Sequence, residues 1–138
     1  MRTSVKKGAI VLPVLLLLGT AVMAGRWADS QSELYKVVIT VDTESGDFSY
    51  SLDPVRATRG DRVEFVSEQG SWSVNFGNNS PFAEARFNGR RAAPRQLPIR
   101  GDAADGSYKY FVAVAIGEDV YTDDPEVIVG PRRGGGER

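Results

Sequence analysis

The chain has 138 residues, with 17 Lys and Arg against 18 Asp and Glu, a formal net charge of −1, and neither His nor Cys. That composition excludes a thiolate nucleophile, an imidazole base, a disulfide and a soft-metal site. The charge balance also argues against general nucleic-acid binding, and the length suits one domain.

Residues 1–24 read as an export signal. Arg2, Lys6 and Lys7 form a positive start, Gly8 to Val22 is nearly all apolar, and Val22-Met23-Ala24 is a small-x-small cleavage site. If uncleaved, the segment is a membrane anchor, although Pro13 interrupts it and its length is just short of a comfortable bilayer span. No Cys follows it, which excludes a lipid-anchored lipoprotein. Either way the remainder is expected outside the cytoplasm, periplasmic or extracellular, and the lack of disulfides fits a bacterial envelope best. Cleavage leaves 114 residues with 14 Lys and Arg against 18 Asp and Glu, a net charge of −4.

Residues 25–34 read as a linker and 35–130 as an all-β domain, because strand signals recur with turns between them. Tyr35, Val37, Ile39 and Val41 alternate with more polar residues, Ser45-Gly46 turns the chain, and Phe48, Tyr50 and Leu52 alternate again. Asp53-Pro54 is a break, and Val55-Arg56-Ala57 a short strand. Arg59-Gly60-Asp61 is a tight turn, which accounts for this integrin-type tripeptide. Val63 and Phe65 point inward, as do Trp72, Val74 and Phe76. Residues 77–94 read as irregular and Leu97 with Ile99 as a short edge segment. Tyr108 to Ile116 reads as one central strand, apolar on both faces. An acidic loop over 117–125, a closing strand at Val127-Ile128-Val129 and a disordered Gly-rich tail over 131–138 complete the chain.

Four of these segments together resemble the cupredoxin family. Gly60-Asp61-x-Val63-x-Phe65 is similar to that family's third strand, and Trp72-Ser73-Val74-Asn75-Phe76 to the "H-x-V-x-F" strand bearing its first copper histidine. Gly106-x-Tyr108-x-Tyr110-x-Val112 is similar to the "G-x-Y-x-Y-x-C" run bearing the copper cysteine, and residues 124–130 to the closing strand. The resemblance implies a Greek-key β-sandwich of seven or eight strands. An immunoglobulin-like sandwich is the alternative, since it shares the alternation. The resemblance also puts Trp72 at the histidine position and Val112 at the cysteine position. With both donors replaced and no His or Met in the following loop, a blue-copper site is not expected, and no cofactor is.

Function is therefore sought on the surface. Arg86, Arg90, Arg91, Arg95 and Arg100 follow Glu84 without an intervening acid, and Phe82 and Phe87 lie beside them. Guanidinium forks pair with carboxylate, sulfate or phosphate, so this segment is the expected contact surface for a protein or an anionic envelope polymer. The acidic loop is its expected companion at one end of the sandwich. A Ca²⁺ site built from Asp119, Asp123 and Asp124 is the alternative, although the spacing matches no EF-hand. No nucleophile motif is present, and a carboxylate-dependent hydrolase is the one enzyme class left open. The expectation is a metal-free binding or accessory module, with membrane association only through an uncleaved signal.

Overall fold

The computed structural model describes residues 32–131. The expected signal, most of the linker and residues 132–138 of the tail lie outside them. Eleven strands are present among the described residues: β1 (Leu34–Val41), β2 (Phe48–Tyr50), β3 (Val55–Thr58), β4 (Arg62–Ser67), β5 (Ser71–Asn75), β6 (Arg86–Gly89), β7 (Arg95–Pro98), β8 (Gly106–Lys109), β9 (Phe111–Ile116), β10 (Asp119–Asp123) and β11 (Glu126–Gly130).

They form three sheets: sheet I in the order β2-β1-β4-β7, sheet II in the order β3-β11-β8, and sheet III in the order β10-β9-β5-β6. Neighbours that are distant in sequence, such as β1 with β4 and β5 with β9, make this a Greek key and not a meander. Two pairs, β1 with β4 and β3 with β11, run parallel. The resulting mixed sheets set the fold apart from the immunoglobulin-like alternative, which is built from antiparallel sheets.

All three sheets contribute to one apolar core. Val37 and Phe65 come from sheet I, Val55 and Val127 from sheet II, and Val74, Val112 and Val114 from sheet III, each at most 1% exposed. Phe65 is the hub of an aromatic cluster, with ring centroids 5.4 Å from Phe87, 5.7 Å from Tyr110 and 6.1 Å from Phe82. Edge-to-face and tilted contacts at these separations add to simple area burial.

Three sequence expectations are corrected. The strand read over Tyr108 to Ile116 is two strands. β8 pairs with β11 in sheet II, and β9 pairs with β5 and β10 in sheet III. The chain changes sheet at Tyr110, whose N–H donates to the Pro125 carbonyl at 3.0 Å. The residues read as an acidic loop contain β10, which closes a hairpin on β9 through Gly117 at φ 64°. Within residues 77–94, read as irregular, lies β6, the edge of sheet III.

Candidate functional site

The two positions assigned to copper donors by the resemblance lie on the inner face of sheet III. The register sets Trp72 opposite Val114 and Val74 opposite Val112, so Trp72 and Val112 are diagonal neighbours on paired strands. They are 2% and 0% exposed. The Trp72 indole lies against Gly89, where an added Cβ would come within 2.5 Å of the ring. Its Nε1–H donates to the Ala93 carbonyl at 3.3 Å, and Phe87 packs against it at 82°. Hydrocarbon thus fills the space and the chain has no imidazole or thiolate, so the residues present do not fit copper.

The structure scatters the other expected site residues. Phe82 and Phe87, expected at a contact surface, are core side chains at 2% and 4% exposure. The Asn, Pro, Gly and Arg residues around them made this stretch look like an open loop. Three of the five arginines have internal work. The Arg91 guanidinium donates to the Glu68 carbonyl, Arg95 pairs with Glu84 at 2.6 Å and lies over the Phe87 ring, and Arg100 pairs with Asp102 and donates to the Ser80 carbonyl. Arg86 and Arg90 make no ion pair among the described residues; Arg86 opens β6, the edge of sheet III, and Arg90 directly follows that strand.

Asp119, Asp123 and Asp124 do not converge either. Asp119 and Asp123 sit at opposite ends of β10, about 13 Å apart at ordinary strand rise. Asp123 accepts the Tyr50 hydroxyl at 2.6 Å, and Asp124 lies 3.9 Å from the Lys109 ammonium. Among the described residues no three His, Cys, Asp or Glu side chains gather to hold a cation. Burial pushes the Tyr50 hydroxyl well above the usual tyrosine range, and the hydrogen bond to Asp123 adds to the effect. Tyr110 is raised by burial first, then by the charges of Asp53 and Asp123. Asp53 is raised by desolvation and by Asp123 and Glu126, with Lys109 opposing.

The Arg59-Gly60-Asp61 turn is structural. Asp61 is buried and accepts the N–H groups of Glu33 and Thr58, each at 3.0 Å, and the Thr58 hydroxyl at 3.2 Å. Arg59 is held by Asp105 and the Ala103 carbonyl.

What the fold does assemble is the outer face of sheet III. Cross-strand register places Val120, Ala115 and Ser71 in one row, Thr122, Ala113, Ser73 and Asn88 in the next, and Phe111, Asn75 and Arg86 in the third. Small side chains at the centre leave the floor low. Phe111 and Val120 stand above it, 57% and 66% exposed. Two shallow depressions result. One of about 390 Å³ is bordered by Ser71, Ser73, Asn88, Gly89, Arg90 and Val120. A second of about 350 Å³ lies at the end of this face, where Asn75 and Phe111 meet Phe76, Gly77, Lys109, Tyr110 and Asp124. β9 is central, as expected, since it pairs on both sides, yet its second face is open. The sequence signal for this face is Phe111, a bulky aromatic among small residues on the side opposite Val112 and Val114.

No family model matches the chain, and no curated protein does. Among solved structures it is similar to a pseudoazurin from Sinorhizobium meliloti, with 18% identity over 72% of this chain and 76% of that one and a TM-score of 0.47. It is also similar to an oxidised mutant amicyanin, with 14% identity over 70% and 82% of the respective chains and a TM-score of 0.45. The strand order is a Greek-key β-sandwich, as the cupredoxin resemblance of the sequence implies. Of the motif residues, Val63 and Phe65 lie on β4, Trp72 and Val74 on β5 and Val127 to Val129 on β11, whereas the run from Tyr108 to Val112 is divided between β8 and β9 at Tyr110.

Proposed function

We propose that this chain is an exported, metal-free binding module that meets its partner, a protein or an anionic envelope polymer, with the outer face of sheet III. The observation that carries the reading is the contrast across one pair of strands. The inner face is packed shut with Trp72 and Val112, whereas the outer face is a low polar floor with Phe111, Val120, Arg86 and Arg90 around it. Scaffolds whose interior is closed work through what they present to solvent. Export rests on the charged, apolar and small-residue pattern of residues 1–24. The reading assigns no catalysis, because the chain lacks His and Cys and has no nucleophile motif.

Co-sedimentation of the full chain with bacterial envelope fractions tests the surface. Association is expected to fall at least about tenfold in the triple variant Arg86→Gln, Arg90→Gln, Phe111→Ala, a loss equivalent to roughly 1.4 kcal/mol or more. The melting temperature should stay within about 3 °C of the parent. Undiminished association of a folded triple variant would remove this face from consideration. Thermal melts with Cu²⁺, Ca²⁺ or EDTA are expected to coincide with the metal-free melt, since a ligand at 100 times its Kd would add about 2.7 kcal/mol.

A further inference from the structure

We infer that the occupant of the outer face of sheet III is an acidic polysaccharide, a chain of sugar rings bearing carboxylates as in a polyuronate. This deepens the binding-module reading and rests on it.

Shape comes first. A depression of about 390 Å³ lies on this face, a second of about 350 Å³ lies at its Asn75 and Phe111 end, and both open to solvent. Enclosed pockets suit small molecules, whereas shallow depressions in succession suit an extended polymer. The chemistry of the floor is that of a sugar platform. The Phe111 ring is 57% exposed, and the electron-rich face of an aromatic ring attracts the weakly positive C–H groups on the apolar side of a pyranose. Asn75 and Asn88 offer amide donors and acceptors together, and the Ser71 and Ser73 hydroxyls do the same, which matches the dual character of sugar hydroxyls.

Charge specifies the acid. Arg59, Arg95 and Arg100 each face a carboxylate of this chain, but Arg86 and Arg90 have none among the described residues. A guanidinium left without a carboxylate is a fork waiting for one. Phe111, Asn75 and Arg86 share a row across three strands, so aromatic and cation are about 10 Å apart. That leaves room for one ring on Phe111 and the carboxylate of a linked ring on Arg86. A densely charged polyanion fits less well. Its affinity comes from neutralising many phosphates at once, whereas this face has two unpaired arginines, Asp124 near its end and a domain over 35–130 of net charge −5 behind it, with 10 Lys and Arg against 15 Asp and Glu.

Calorimetric titration of the full chain with oligogalacturonate, with a neutral oligodextran and with dextran sulfate tests the assignment. Oligogalacturonate is expected to bind and oligodextran not to. Arg86→Gln with Arg90→Gln should weaken binding about tenfold or more, and Phe111→Ala about fivefold, on the scale of 1.4 kcal/mol per decade. Arg56→Gln, on β3 of sheet II, should leave it unchanged. Absence of oligogalacturonate binding, equal binding of the neutral oligomer, stronger binding of dextran sulfate, or binding indifferent to both sets of variants would each overturn the inference. If oligogalacturonate fails while the triple variant still loses the envelope, the surface stands and its occupant is another partner, such as a protein. If envelope association also survives the triple variant, the surface reading falls too.

Discussion

Strands β5 and β9 present two different surfaces on one stretch of backbone. On the inner side Trp72, Val74, Val112 and Val114 are at most 2% exposed. On the outer side Ser71, Asn75, Ala115 and Phe111 are exposed, and Ser73 and Ala113 half-exposed. Successive side chains on a strand point to opposite faces, so a single step along the chain separates a position that packs from one that meets solvent. The sequence resemblance would put metal chemistry at the inner positions. Here they carry hydrocarbon, and the neighbouring outer positions are the ones left with polar groups to offer.

Adjacent substitutions give the sharpest test of that contrast. Trp72→Ala should cost about 3–5 kcal/mol, because it removes a buried ring and leaves a cavity. Ser73→Ala, one residue on, should change stability by no more than about 0.5 kcal/mol. Denaturant melts of the two full-chain variants measure both, and comparable losses would break the two-face picture. Gly89→Ala comes next, at roughly 1–3 kcal/mol. The added methyl would meet the Trp72 ring at 2.5 Å, so the loss should largely disappear when Trp72 is replaced by a smaller apolar residue.

Tyr110 extends the comparison to pH. Its folded pKa is raised above the unfolded value of about 10, so below pH 10 the hydroxyl is neutral in both states and its contribution is fully present. Above pH 10 the unfolded chain releases the proton first. Stability then falls as pH rises, by at most about 1.4 kcal/mol per pH unit from this group. Alkaline melts should show that decline, and Tyr110→Phe should flatten it. Tyr50 contributes in the same direction, with less weight because it is half-exposed. The smallest stability effect belongs to Phe111→Ser on the outer face, within about 0.5 kcal/mol.

The inner face was legible in the sequence because alternation is a local property. Trp72, Val74 and Phe76 declare their side within five residues, and so do Val112 and Val114. Strand partners are not local. Tyr108, Tyr110, Val112 and Val114 keep one alternation through the point where the chain leaves β11 for β5, so the pattern has no mark at Tyr110. Charges at Asp119 and Asp123 concealed β10, whose pairing depends on β9. Phe82 and Phe87 looked exposed because their neighbours are turn formers, although Phe65 offered buried partners from another sheet. The outer face was harder still. Its rows exist only once four strands are in register, and none of Ser71, Asn75, Asn88 and Ala113 is informative alone. Arg86 and Arg90 read as contacts together with Arg91, Arg95 and Arg100, and the sequence does not reveal that the latter three are tied to groups of the same chain.

Gly89 has an optical consequence. Because it lacks a side chain, the Trp72 indole rests against bare backbone, and both residues border the larger depression. An indole separated from a surface by so little material should change its emission when the water above it is displaced. The chain has two tryptophans, Trp27 and Trp72, so Trp27→Phe leaves a single tryptophan, beside the floor of the depression. Occupancy could then be followed by the light of the protein itself, without a dye or a label.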